Sequence, residues 1–298
     1  MKISLIIPVL NEARSIEALL DSILIQTKLP DELIIVDGGS TDATVAVIKQ
    51  HSVWQTLTVR LLTLPGSNCS QNRNLGIREA KYPVLALTDS GCVLAKDWLE
   101  KITSPLNNPK IDSVAGYYQV GAKTAFSQAV TPFVSIMPDK LEVKTYLPSS
   151  RSIAFKKSAW TKVGGYPENL NYCDDLLFAG KLKAKTRMVV KPDALVYWEP
   201  IKNLNEFFTK IKNYASGDVK AGYWPHLTKI ATVYLRYCLF YFFPPLFIAY
   251  WFWPIIKFNR YLKNPLAYFL LPVVQVTADL AVLRGSLAGL KLRLEKAF

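Results

Sequence analysis

From Lys2 to Thr88 the chain alternates short, β-rich apolar runs with segments of helical period. That alternation constrains the fold more than any other feature, because strands joined through helices pair in parallel and bury both faces of one sheet. Lys2 to Val9 is the first run, and Ile16, Leu19, Leu20, Ile23 and Leu24 then recur at the spacing of an amphipathic helix. Glu32 to Val36 is a second strand, closed by Asp37-Gly38-Gly39, with Thr41 or Asp42 placed to cap a helix through Lys49. A strand over Val59 to Thr63, a helix over Ser70 to Ala80 and a strand over Val84 to Thr88 repeat the unit. The expectation is an α/β fold, a Rossmann-like, mostly parallel sheet flanked by helices, which binds ligands beyond the carboxyl ends of its strands. Pro8 to Glu12, Asp37 to Ser40 and Thr88 to Cys92 all fall at such ends.

Past Asp97 the period weakens. A helix is expected over Trp98 to Leu106 and a strand over Val114 to Val120, followed by a poorly defined stretch to Pro148. Arg151 to Phe155 reads as a strand, Lys156 to Val163 as a helix ended by Gly164-Gly165, and Asp174 to Lys185 as a second helix. Strands over Met188 to Val190 and Ala194 to Tyr197 precede an amphipathic helix over Asn203 to Ala221. With 298 residues the chain accommodates one large α/β domain, set at residues 1–222, and a C-terminal appendage at 229–298.

The appendage is strongly apolar. Between Ala231 and Ile256 the only charged residue is Arg236, and Tyr, Phe and Trp crowd around Pro244-Pro245. A second run, Pro265 to Leu283, carries Gln275 and Asp279. The first run is long enough to span a bilayer; the second is just long enough to span, or can lie at the interface. Tyr and Trp collect where lipid meets water, so membrane-associated helices are the expectation and a buried helical pair the alternative. A net charge of +13 suits either nucleic acid or anionic lipid and phosphate-bearing substrates. Lys181, Lys183, Lys185, Arg187 and Lys191 precede the apolar segments, and Arg284, Lys291, Arg293 and Lys296 follow them, which favours membrane lipids over nucleic acid. Met1 to Leu10 reads as a strand and not as a cleavable leader, and the four cysteines show no CxxC spacing. The catalytic domain is therefore expected on the cytoplasmic face of the cell membrane.

Ser4 to Ile16 (SLIIPVLNEARSI) and Ile34 to Thr44 (IIVDGGSTDAT) together resemble the opening of family 2 glycosyltransferases of the GT-A fold. The residues make chemical sense by themselves. An Asp at a strand end accepts a hydrogen bond from a pyrimidine N–H, and a Gly-Gly turn lets backbone approach a ring and ribose closely. The resemblance places a uracil-like base against Asp37, Gly38 and Gly39, with Pro8, Asn11 and Glu12 on the other side; Asp-Gly is also ordinary turn chemistry. Ser67 to Ala80 (SNCSQNRNLGIREA) is similar to the family's Arg-Asn-x-Gly stretch, where Arg73 is either a bidentate donor to base or phosphate or a plain surface arginine.

Leu85 to Leu99 (LALTDSGCVLAKDWL) stands where the family carries Asp-x-Asp, a pair that holds a divalent cation on the donor diphosphate. Asp89 keeps the first position and Ser90 joins the donor-binding set, but Gly91 takes the second position. The only histidines are His51 and His226, and Trp198 stands roughly where a late metal-binding histidine is sought. One carboxylate is a poor metal site, so Mg²⁺ or Mn²⁺ on Asp89 stays an open question. Cys69, Cys92 and Cys173 read as small packed hydrophobes and not as thiolate ligands.

Arg151 to Ala184 resembles the region in which a family Glu-Asp pair opens a helix. The resemblance puts Arg151 at the donor, Asp174-Asp175 in place of Glu-Asp, and Asp175 as general base, although a carboxylate at a helix start is also a good cap. Lys212 to Trp224 (KNYASGDVKAGYW) resembles a Tyr-x-x-Gly-Asp stretch that follows the catalytic domain in membrane-linked relatives. What the resemblance implies is an inverting glycosyltransferase of envelope glycan synthesis. It would carry a sugar from a UDP- or dTDP-type donor to a lipid-linked or saccharide acceptor. Gly91 and the missing histidine motivate a second reading, a catalytically weak or inactive scaffold that keeps the fold. A Rossmann oxidoreductase is disfavoured, because no GxGxxG follows the first strand.

Overall fold

The computed structural model describes residues 1–295, and Lys296, counted above among the basic residues, lies outside them. In chain order the elements are β1 (Ile3–Val9), α1 (Ile16–Leu24), β2 (Glu32–Asp37), α2 (Thr44–Gln50), α3 (Val53–Thr56), β3 (Val59–Thr63), α4 (Cys69–Glu79), β4 (Val84–Leu87), β5 (Cys92–Leu94) and α5 (Trp98–Thr103). There follow β6 (Ser113–Val120), α6 (Ala125–Val134), β7 (Ile153–Lys156), α7 (Lys157–Val163), α8 (Asp174–Lys185), β8 (Met188–Trp198), α9 (Leu204–Ala221), α10 (Trp224–Phe242), α11 (Pro245–Phe258) and α12 (Leu266–Leu294). The described chain forms two compact units, Met1–Gln119 with Leu141–Glu199, and Val120–Lys140 with the residues from Pro200 onward.

The first unit is built on a sheet of eight strands in the order β3-β2-β1-β4-β7-β6-β8-β5. Its first half is parallel, with β1 between β2 and β4, and β3 outside β2. Helices return the chain between these strands, which is what parallel neighbours require. From β7 onward the sheet turns antiparallel, β7 lying on β4, β6 on β7 and β5 on β8, so the whole sheet is mixed. Every residue of β1 and β2 is buried, as continuous apolar runs in a doubly covered sheet should be. Pro8 sits in the central strand without harm, because the ladder between β1 and β4 ends at Ile6 opposite Leu87. Ile6, Ile34, Val36, Leu85, Leu87 and Phe155 form a core with Ile77 of α4 and Phe178 and Leu182 of α8. Burying each such side chain contributes about 1.5–3 kcal/mol, so α4 and α8 are pinned to the face whose rim carries the polar residues.

In the second unit α9 and α12 pack along one another, and α6 packs on α12. The backbones approach closely: a Cβ on Gly285 would lie 2.1 Å from the carbonyl oxygen of Lys212, and one on Gly289 would lie 2.4 Å from that of Ser216. Thus α9, which the sequence reading placed inside the catalytic domain, buries its face on α12. The run from Ala231 to Ile256 is not one helix as its length suggested. It breaks between α10 and α11, because Pro244 and Pro245 offer no N–H to continue the ladder of α10. With 14 residues α11 is roughly 21 Å long, short of the ~30 Å hydrocarbon core. The two charges in the apolar runs meet each other: Asp279 accepts from Tyr250 Oη at 2.6 Å and from Arg236 Nη1 at 3.1 Å. Among the described residues α12 alone is long and apolar enough to cross a membrane.

Candidate active site

The rim above the carboxyl ends of β1, β2 and β4 is assembled from loops that clasp one another. Asn11, after β1, has a left-handed backbone with φ of +55°. Its N–H donates to Ser40 Oγ at 2.9 Å, and its Oδ1 accepts from Thr41 N at 2.8 Å. Thr44 Oγ1 accepts from Glu12 N at 2.7 Å, so the β1 and β2 loops are locked together. Asp37 is buried, and its carboxylate accepts from the backbone of Gly39 at 3.1 Å and of Ser40 at 3.1 Å. The Asp37 side chain thereby builds the Gly38-Gly39 turn. Gly39 has φ of +96°, a conformation other residues resist, and a Cβ on Gly38 would lie 3.0 Å from Asn72 of α4. The turn offers backbone at the rim because no side chain fits there.

Arg73, buried on α4, is the centre of a charged network. It donates through Nη1 to Asp174 Oδ2 at 2.8 Å and through Nη2 to Asp89 Oδ1 at 2.7 Å. Ser70 Oγ also donates to Asp174 Oδ2, at 2.8 Å, so Asp174 is turned inward and ties α8 to α4. Burial opposes the Arg73 charge, but neighbouring Cys69, Asp89 and Asp174 outweigh it and the guanidinium stays cationic. Arg73 is no surface residue.

Asp89 and Arg151 are brought together by strand register. β4 and β7 run antiparallel with Leu87 opposite Ile153, and two steps further that register sets Arg151 across from Asp89. Arg151 Nε lies 3.9 Å from Asp89 Oδ2. The guanidinium rests 4.1 Å from the ring centre of Trp198 and 4.9 Å from that of Tyr118. Arg151 Nη1 donates to Ser149 Oγ at 3.0 Å, and Ser149 Oγ donates to Asp175 Oδ2 at 3.1 Å. Ser149 thus links the two residues, and nothing in its local sequence marked it. Its role depends on the chain reversal into β7, which only the folded sheet shows.

Asp175, half-buried in the first turn of α8, has its carboxyl raised above the ordinary carboxylate range by burial and by Asp174, with Arg73 and Arg151 pulling the other way. Raising a carboxyl toward neutral pH makes it a stronger proton acceptor. Glu12 is raised as well, chiefly by burial, with Glu199 and Asp89 adding to the effect; Ser15 and Ser90 donate to it and oppose the shift. Ser90 therefore connects the β4 loop to the β1 loop.

Carboxylates, guanidiniums and hydroxyls from Ser70, Arg73, Asp89, Ser149, Arg151, Asp174 and Asp175 thus form one connected group. Asp37, Asn11 and Pro8 stand at the same rim, with strand spacing putting β2 and β4 roughly 10 Å apart across β1. The thiols of Cys69 and Cys92 are pushed up to about 12 by burial, so both are protonated at neutral pH and are not thiolate ligands.

A divalent cation does not fit this donor set. Asp89 Oδ1 is taken by Arg73, Gly91 brings no ligand, and Trp198 supplies an indole that has no lone pair for a metal. Among the described residues no group of three His, Cys, Asp or Glu side chains is arranged to hold a metal ion.

Comparison with known proteins agrees with the motifs. The chain is 28% identical over 195 residues to the O-antigen chain rhamnosyltransferase RfbN of Salmonella typhimurium, covering 61% of each protein. It is 33% identical over 116 residues to the glycosyltransferase AglE of Haloferax volcanii, covering 38% of each. The chain therefore spans about three fifths or less of the length of these relatives. Solved structures share the fold at low identity. Staphylococcus aureus TarS 1–349 superposes with a TM-score of 0.55 at 19% identity, over 72% of this chain and 64% of that one. The mannosyltransferase PcManGT of Pyrobaculum calidifontis, in complex with GDP-Man and Mn²⁺, superposes with a TM-score of 0.60 at 19% identity, over 96% of this chain and 73% of that one. The α/β sheet with its flanking helices is of the GT-A type, and residues 4–161, more than half of the chain, match the family described as Glycosyl transferase family 2, to which this protein belongs.

Proposed function

We propose that the chain transfers a sugar from a UDP- or dTDP-type donor to a lipid-linked or saccharide acceptor at the cytoplasmic face of the membrane, with inversion at the anomeric carbon. One observation carries the reading: a carboxyl with raised proton affinity, Asp175, opens α8 beside two arginines and the strand-end carboxylate Asp89. In the reaction Asp175 takes the proton of the acceptor hydroxyl while that oxygen bonds to the anomeric carbon. The bond from that carbon to the donor phosphate breaks, and its electron pair stays on the departing diphosphate. Where the acceptor is a lipid phosphate, already an anion, the base contributes less. The names of the relatives support a donor of this kind, since a fold neighbour, TarS, has been solved with UDP and with UDP-GlcNAc.

The Asp37 turn and the β1 loop form the nucleoside side of the site, with backbone of Gly38 and Gly39 as the contact surface. Asp37 itself acts there by shaping the turn, since its carboxylate already accepts from that turn. Membrane lipids are the second partner. Leu235, Phe242, Ile248, Phe252 and Ile256 of α10 and α11 are exposed, as a lipid-facing surface would be.

The test is to screen UDP- and dTDP-sugars with the purified chain for slow donor hydrolysis in the absence of acceptor, and for glycan product in cells carrying Asp175→Asn. Donor turnover together with loss of product in that variant supports the enzyme. Unchanged glycans in a folded Asp175→Asn strain would favour the scaffold reading that Gly91 and Trp198 raise.

A further inference from the structure

We infer that Arg151, held flat on Trp198, supplies the positive charge that faces the donor diphosphate, and that the chain binds and uses its donor without a divalent cation. This inference rests on the nucleotide-sugar reading above and adds to it the means of neutralising the leaving group. Three observations carry it.

The first is the loss of ligands at the metal position. A Cβ added to Gly91 would meet the indole of Trp198 at 3.9 Å and Glu12 Oε2 at 4.0 Å, so the position has room for a larger residue yet carries none. The indole and the missing side chain stand side by side: where a carboxylate and an imidazole would converge on a cation, there is an aromatic face. The second is what lies on that face. Arg151 Cζ is 4.1 Å from the Trp198 ring centre, and Tyr118 stands edge-on to the same indole, with ring centres 6.0 Å apart. Stacking between rings fixes the plane of a guanidinium and leaves its in-plane N–H edge to make paired hydrogen bonds with phosphate oxygens. The third is the division of labour between the two arginines. Arg73 is committed to Asp89 and Asp174 at 2.7 Å and 2.8 Å, whereas Arg151 stands 3.9 Å from Asp89, beyond hydrogen-bond length. Asp89 therefore orients the second guanidinium without consuming it.

As the bond to the anomeric carbon breaks, the electron pair settles on a phosphate oxygen. Arg151 stabilises that oxygen by hydrogen bonding and gives up no proton, so the step needs no further reactant.

The experiment is calorimetric titration of the purified full chain with UDP, dTDP, GDP, UMP and uridine, in EDTA and again in Mg²⁺ or Mn²⁺. A diphosphate should bind in EDTA with an affinity that added metal changes by less than about threefold. Arg151→Met should weaken UDP or dTDP about 10- to 100-fold while changing UMP far less and uridine hardly at all, the span of a lost charge-assisted hydrogen bond. Arg151→Lys, which keeps the charge but not the planar edge, should fall between. Diphosphate binding that requires metal would overturn the inference, as would wild-type affinity in Arg151→Met in EDTA; both outcomes leave the glycosyltransferase reading standing. Should Arg151→Met fail to fold, the metal comparison on the wild-type chain decides alone. If no diphosphate binds under any condition, the nucleotide-sugar reading falls and this inference with it.

Discussion

Asp175 holds its proton more tightly than a free aspartate because burial and Asp174 penalise the charged form. A carboxyl whose pKa is raised on folding stabilises the fold at acid pH, and that contribution is lost as pH climbs through the raised value. At neutral pH the ionised carboxylate therefore costs stability. Asp175→Asn should melt at a higher temperature than the wild type at pH 7, with the difference vanishing at acid pH, while sugar transfer falls roughly 10²- to 10⁴-fold. Thermal melts beside rate measurements check this; a variant that lost stability and activity together would reassign Asp175 to the fold. The same shift places the acid limb of kcat/KM above the ordinary aspartate range, because transfer requires the ionised form. Arg73 presents the opposite case, a charge whose removal strands its partners. Arg73→Met leaves Asp89 and Asp174 without the guanidinium that joins them, and breaking a buried pair in this way costs about 3–5 kcal/mol. Urea denaturation at pH 7 should show that loss, and it should shrink at acid pH where Asp174 can take a proton.

Helices and strands with a clean local period were legible in the sequence: β3 and α8 fall on their expected bounds, and β1, β2 and α4 within about a residue or two. What escaped was set by partners far along the chain. The helix α6 is hidden by Pro132 in its interior and opens with a Thr124 and Ser127 capping box, not the Glu or Gln form that a sequence scan looks for. The strand β5 has three residues and exists because β8 pairs with it. β8 itself runs through Pro192 as one strand, since the β5 ladder reaches only Val196 to Trp198 and demands no N–H at residue 192. The site divides in the same way. Asp89 and Asp175 stood at recognisable strand and helix ends, whereas the bridge through Ser149 and the shelf of Trp198 under Arg151 are products of antiparallel register. Close helix packing gives a further check at this scale. Gly285→Ala would drive a Cβ into backbone and should cost about 1–3 kcal/mol, whereas Gly180→Ala on α8, with nothing within 4 Å, should gain about 0.5–1 kcal/mol. Paired chemical denaturation of the two variants distinguishes a helix contact from a plain change in helix propensity.

For the molecule as a whole, the question is how its apolar C-terminal helices meet a membrane. Leu239, Tyr241, Phe242, Phe243, Leu246, Ile248, Phe252, Trp253 and Ile256 are all exposed, an amount of contiguous apolar sequence that proteins in water seldom leave uncovered. The proline pair cuts this stretch into α10 and α11, and α11 is too short to cross. The longer α12 is apolar enough, but it packs along α9, whose sequence carries Lys210, Lys212, Asp218 and Lys220. Taking α12 through a bilayer would carry that polar helix into hydrocarbon or strip it away, at a cost of several kcal/mol per charge. Attachment in the plane of the interface avoids the cost and suits a surface of aromatic and basic residues. The full chain should therefore float with vesicles containing anionic lipid, bind less in high salt, and be released by alkaline carbonate. Phe252→Asp combined with Ile256→Asp withdraws two large side chains worth about 1.5–3 kcal/mol each and should lower partitioning on the order of 100-fold without changing donor hydrolysis in detergent. Retention through carbonate extraction would mean that α12 crosses the bilayer, and α9 would then have to part from it along the contact that Gly285 and Gly289 make so close.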